Sequence, residues 1–320
     1  MILRLKRFFE MFLIQRKSFC IVFLFAISQV FAENDNNSYR QIIQFQETIF
    51  TLSADSRIDI ISNDGEKNTI FKNDDLKLNC LAANDEILIL AGNKGVIYYS
   101  NNGKEFESAK TETDKNIYSI VYKNGIFLAG SEKGEIQISE DGKIWTNLKT
   151  EAAGDIISIS ANNSIFIGVT NEGEIIQSGN GFNWKVANFN KNYAGFIPYT
   201  EFIKILAIEN SIIIIGVHDD GSPAILLSTL GNVWNERLPF YYDEEGIIKY
   251  LSSKPNDVIF DYENDQFILA CNNGELLSLP SCSRCNKYVK VSDKNLQSLV
   301  SIKSSLIIVG NDFSIFKYSF

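Results

Sequence analysis

The segments SNNGKEF at residues 100–106, SEDGKIW at 139–145, SGNGFNW at 178–184 and STLGNVW at 228–234 repeat one pattern, Ser-x-x-Gly-x-x-aromatic. A fifth copy, SNDGEKN at 62–68, keeps Ser62 and Gly65 but loses the aromatic. The aromatic is Phe106 in one copy and then Trp145, Trp184 and Trp234, which are all three tryptophans of the chain. From Ser62 to Ser100, Ser139 and Ser178 the steps are 38, 39 and 39 residues. A fixed period of that length marks a repeat architecture.

The surroundings repeat too. An apolar run opens 13 residues before the serine at Ile49, Ile87, Ile126 and Ile165, and again at Leu306 before Ser319. A Gly/Asn/Lys turn such as Gly92-Asn93-Lys94-Gly95 then leads into a second short run ending at the serine. Apolar run, turn, apolar run and glycine turn read as successive antiparallel hairpins. One more apolar segment precedes each pair, as at 117–122 and 156–159, and a fourth strand begins at the aromatic. Four short strands per ~40 residues make one propeller blade. Runs at 212–215 and 267–270 bring the count to seven. The expected fold is all-β, a seven-bladed propeller of four-stranded antiparallel blades occupying residues 33–320 as a single domain. Only three strands are expected in the seventh blade, with residues 38–40 pairing loosely against 315–318 where the ring closes.

These motifs resemble the Asp-box, or bacterial neuraminidase repeat, of sialidase-type propellers, with the turn one residue shorter. The Asp position is held by Asp64, Asn102, Asp141 and Asn180 and lost at Leu230. The shortened form is similar to photosystem II assembly-factor-like and sialidase-like exported propellers. In such a turn Ser and Asp/Asn cap backbone N–H groups, the glycine (Gly65, Gly103, Gly142, Gly181, Gly231) takes a positive φ, and the aromatic packs between blades. All of these are structural roles. The resemblance implies that the box lies on the face opposite the ligand face, which second-to-third-strand turns and blade connections build.

Residues 1–32 read as a signal peptide. Arg16 and Lys17 precede an apolar run at 19–32 that ends Val30-Phe31-Ala32, before the polar Glu33-Asn34-Asp35-Asn36. This is a positive n-region, an h-region and a cleavage site. An uncleaved anchor is the alternative, although fourteen apolar residues are short for ~30 Å of hydrocarbon. The chain is therefore expected to be exported, periplasmic or secreted, with no stable membrane insertion after cleavage. Residues 1–32 carry five basic side chains and one acid, so cleavage takes the formal net charge from −9 to −13. Such a surface repels phosphate backbones, which excludes nucleic acid as a partner.

Catalytic chemistry finds little support. Sialidases clamp a carboxylate with three arginines, and none of Arg40, Arg57, Arg237 and Arg284 lies in the corresponding motif. His218 is the only histidine, and no G-x-S-x-G elbow exists. No catalytic residue, cofactor or metal is assigned; His218 with Asp219 and Asp220 is a weak metal set because adjacent side chains rarely converge on one ion. Three irregular segments are expected to cluster on the ligand face around blades four to six. They are the insertion at 190–202 with Tyr193, Phe196 and Tyr199, the enlarged turn at 217–223 with His218, Asp219 and Asp220, and the connection at 237–255 with Tyr241, Tyr242 and Asp243. Aromatics beside carboxylates suit a protein or a glycan; the alternative is that they cover loop ends. The expected function is non-enzymatic recognition of a protein or other macromolecule through this rim. A carbohydrate-active enzyme or lectin is the second reading. Cys282 and Cys285 stand where the sixth blade's box turn belongs, with Leu279 in the serine position, and are candidates for a disulfide.

Overall fold

A computed structural model describes residues 37–62, 65–188, 200–281, 286–302 and 305–319. Seven antiparallel sheets follow one another along the chain, each meandering outward in sequence order. Blade one is Tyr39–Phe45, Thr48–Ser53, Ile58–Ile61 and Lys67–Phe71; blade two is Leu78–Ala83, Leu88–Gly92, Ile97–Ser100 and Glu107–Ser108. Blade three is Ile117–Lys123, Ile126–Ser131, Glu135–Ser139 and Thr146–Lys149; blade four is Ile156–Ala161, Phe166–Thr170, Glu174–Ser178 and Lys185–Asn188. Blade five is Thr200–Ile208, Ser211–His218, Pro223–Ser228 and Asn235–Glu236; blade six is Pro255–Asp261, Gln266–Cys271, Glu275–Pro280 and Lys287–Lys290. Blade seven has three strands, Leu296–Ile302, Ser305–Gly310 and Ile315–Ser319.

The first strand of every blade packs on the first strands of both neighbours, blade seven on blade one included, so the sheets close into a ring. Seven hydrophobic clusters fill the seven interfaces, each drawing on two adjacent blades. A blade is covered on both faces, which is why second strands such as Leu88–Gly92 and Phe166–Thr170 are buried along their whole length.

Side chains within the repeated turns bond to the turn's own backbone. Ser139 Oγ accepts from Gly142 N at 2.8 Å, and Asp141 Oδ1 accepts from Lys143 N at 2.8 Å and Ile144 N at 3.0 Å. Burial alone would raise the Asp141 pKa, but these two N–H bonds and the Ser139 hydroxyl outweigh it and hold the carboxyl below its ordinary value. Asn180 and Ser178 make the same bonds, as does Asn102, and Ser228 caps Gly231 N at 2.8 Å. Asp64 lies outside the described residues. Trp145, Trp184 and Trp234 each donate Nε1–H to the carbonyl of the turn glycine, at 3.0, 2.9 and 3.1 Å. Trp145 packs between blades two and three and Trp234 between blades four and five, while Trp184 is only partly buried against blades three and four. The glycines have a second role that the turn alone does not reveal. A Cβ on Gly142, Gly181 or Gly103 would stand 2.8, 2.7 or 2.5 Å from Ile89, Ile126 or Phe50 of the preceding blade.

Ring closure differs from expectation. Residues 38–40 do not pair with Ile315–Ser319. Tyr39 begins blade one's innermost strand, pairing with Ser53, and Ser38 instead bridges Asn311 at blade seven's second-to-third turn. Tyr39 is held inward by a 2.9 Å bond from its hydroxyl to the buried carboxylate of Asp59, which also binds Arg57 and Thr69. A buried carboxylate with three partners fixes that strand deep in the ring, out of reach of an outer edge.

Candidate functional site

One irregularity recurs in all seven blades. The first strand always carries a β-bulge against the second, with Arg40, Asn79 and Tyr118 as the extra residues in blades one to three and Ile157, Ile203, Asn256 and Gln297 in blades four to seven. A bulge re-aims its side chain and bends its strand. All seven bulged residues line a single depression of about 160 Å³ at the mouth of the central channel.

In six of the seven blades the residue after the bulge bonds to the next blade. Gln41 Oε1 accepts from Leu81 N at 2.7 Å, Ser119 Oγ from Ile159 N at 3.1 Å, and Ser158 Oγ from Ile205 N at 3.2 Å. Asp257 Oδ2 accepts from Leu299 N at 3.2 Å, and Ser298 Oγ accepts from Ile42 N at 3.3 Å, the last bond crossing the closure. Between blades five and six, Lys204 pairs directly with Asp257. Cys80 occupies the equivalent place in blade two, where burial pushes its thiol up to about 12. The bulged amides add a second tier. Asn79 Nδ2 donates to Asn93 in its own blade's turn and to the Ile117 carbonyl of the next blade, and Asn256 does the same with Asn272 and Leu296. Tyr118 donates to Glu132 at 3.3 Å and Asp155 at 3.4 Å; burial first, then these carboxylates, push its phenol up to about 12.

The depression thus carries polar side chains that are already occupied, with one exception. The Arg40 side chain makes no hydrogen bond or ion pair among the described residues, although it is partly buried and desolvation lowers its guanidinium pKa. Asp257 is the depression's one carboxylate among the described residues, and its oxygens are taken by Lys204, Ser298, Leu299 N and Val258 N.

Of the expected rim, Tyr193, Phe196 and Tyr199 lie outside the described residues, as do Cys282 and Cys285. His218, Asp219 and Asp220 sit at blade five's second-to-third turn. His218 is buried with Nε2 2.8 Å from Glu236 of the same blade, and Asp220 caps Ser222. The connection at 237–255 folds into a hairpin, Phe240–Tyr242 paired with Ile248–Tyr250, which rests against blade six's outermost strand. Tyr241 stacks on Tyr288 at 4.1 Å, while Tyr242, Ile248 and Tyr250 face solvent. Asp243 accepts from Ile247 N within the hairpin turn. The irregular segments therefore stand on neighbouring blades, the turn at blade five and the hairpin on the outer side of blade six. Cys80 and Cys271 are free, buried thiols. No group of three metal-ligating side chains converges among the described residues.

By sequence the chain matches no protein-family profile, nor does it match any curated protein. Its fold is shared widely among solved structures. The WD40 β-propeller domain of Doa1 is similar at 12% identity and a TM-score of 0.65, covering 89% of this chain and 93% of that one. YCF48 bound to D1 peptide is similar at 14% identity and a TM-score of 0.65, covering 89% and 92%. A computationally designed protein, Ika8, matches at 10% identity and a TM-score of 0.60, covering 89% and 97%. At such identities the likeness concerns architecture, and the chain is a seven-bladed β-propeller.

Proposed function

We propose that the chain acts outside the cytoplasm, after removal of residues 1–32, as a non-enzymatic propeller that recognises a protein through its bulged face and the rim of blades four to six. The observation that carries this reading is the channel mouth itself. Its volume of about 160 Å³ lies well below the ~300–1,000 Å³ of pockets that enclose a small ligand. Most of its polar side chains bond within or between blades, which leaves surface recognition as the work of the face. One structural neighbour, YCF48, is described with a bound peptide, which supports it. The shortened Asp-box turns belong to the same reading, as does a disulfide between Cys282 and Cys285.

Site-specific photo-cross-linking in cells tests it. A photoreactive phenylalanine analogue at Tyr242 or Asp220 is expected to yield a common adduct, and the same analogue at Ile144, exposed on a box turn, is expected to yield none. Adducts confined to Ile144 would place recognition on the opposite face and overturn the reading.

A further inference from the structure

We propose that the channel mouth receives a single carboxylate of a partner protein, held bidentately by the Arg40 guanidinium. This site is separate from the rim of blades four to six. Three charged side chains line the mouth among the described residues, Arg40, Lys204 and Asp257. Lys204 and Asp257 neutralise each other, which leaves one unmatched positive charge in a chain of formal net charge −9. Every other polar side chain around the mouth already has a partner within the ring. Gln41, Ser158 and Ser298 accept from the next blade, and Asn79, Asn256 and Gln297 donate across turns and interfaces. A partly desolvated guanidinium without an anion is unfavourable, and its planar fork matches the two oxygens of a carboxylate. The depression, about 160 Å³, admits a side chain or a chain end. The acidic remainder of the protein disfavours polyanions, so the carboxylate belongs to a segment otherwise neutral or basic.

The test uses the full chain and three short peptides, followed through the Arg40 Nε–Hε resonance, which is assigned by its loss in Arg40→Gln. The first is acetyl-Gly-Lys-Glu-Lys-Gly-amide, the second carries Gln in place of Glu, and the third, acetyl-Gly-Lys-Gly-Lys-Gly, has a free C-terminus. The Glu peptide or the free-acid peptide is expected to shift the resonance saturably, and which one does so identifies a side-chain or a terminal carboxylate. The Gln peptide is expected to leave it unmoved. Arg40→Gln is expected to weaken carboxylate binding about ten-fold or more, and Arg40→Lys to weaken it less. Arg40→Gln is also expected to melt no lower than the parent, because the side chain has no hydrogen bond or ion pair among the described residues. Equal shifts from the Glu and Gln peptides, or no shift from either acid, overturn the proposal. A melting point several degrees lower in Arg40→Gln also overturns it, by making the arginine structural. None of these results bears on the rim, which the cross-linking reports on independently.

Discussion

Trp145→Ala removes the side chain that joins blades two and three. Trp145 is 1% exposed and packs among Ile87, Ile89, Ala91 and Phe127, with Nε1 bonded to the Gly142 carbonyl at 3.0 Å. An aromatic of this kind buries about 200 Å², which at ~25 cal/mol/Å² gives an upper bound near 5 kcal/mol. Large-to-small core changes of tryptophan fall at ~3–5 kcal/mol, so a loss of about 4 kcal/mol is expected. For a fold of this size that is roughly 7 °C in Tm. Trp234, 4% exposed between blades four and five, is expected to behave alike. Trp184 is only partly buried, and about half the loss is expected there. Urea unfolding of the three variants, followed by circular dichroism, gives the order directly. A parent-like midpoint for Trp145→Ala would refute its assignment to inter-blade packing, and equal losses at all three positions would refute the ranking by burial.

Gly142→Ala combines a φ of +71° with a Cβ 2.8 Å from Ile89 and is expected to cost about 3 kcal/mol. Gly65→Ala, with a φ of +86° and open space around it, is expected to cost only about 1 kcal/mol; equal melting points for the two would remove the inter-blade role of Gly142. Burial pushes the Cys80 thiol up to about 12 and raises Cys271 as well. The unfolded chain releases these protons from about pH 8.5 while the folded one keeps them, so stability falls as pH rises from there towards 12. Denaturation at pH 8 and pH 10.5 is expected to show the drop, and a Cys80→Ala, Cys271→Ala pair to reduce it; an unchanged drop in the pair assigns it elsewhere. Intact-mass analysis of exported material is expected to show a chain beginning at or near Glu33, and retention of residues 1–32 contradicts the signal reading.

Much of the architecture was legible because the box turn is a local device. Its serine, Asp/Asn and glycine act on backbone groups within four residues, so the pattern survives in sequence and sets the register. Even the degenerate sixth copy kept its place: Leu279 pairs with Phe267 as Ser139 pairs with Phe127 and Ser178 with Phe166. The bulges left no such trace. Tyr118, Ile157 and Ile203 read as ordinary members of an apolar run, and an extra residue becomes visible only when two strands are paired. Arg40 was for the same reason one arginine among the four beyond residue 32, with nothing local to set it apart. The connection at 237–255 was expected only as an irregular segment, although Phe240-Tyr241-Tyr242 and Ile247-Ile248 around an Asp243-to-Gly246 turn carry a hairpin signal. The closure was misjudged because the partner that fixes Tyr39, Asp59, lies twenty residues away. Long-range bonds of this kind have no periodicity to read.

Closure of the ring is tested at the Ile42 amide. That N–H donates to Ser298 Oγ across the junction of blades seven and one, as Ile159 N and Ile205 N donate to Ser119 and Ser158 across internal junctions. Native-state hydrogen exchange resolved to single amides is expected to find Ile42 protected like Ile159 and Ile205, with Ile315–Ser319 at the outer edge exchanging faster. An Ile42 amide that exchanges as fast as that outer strand, while Ile159 and Ile205 stay protected, would contradict a seven-bladed ring closed through its inner strands.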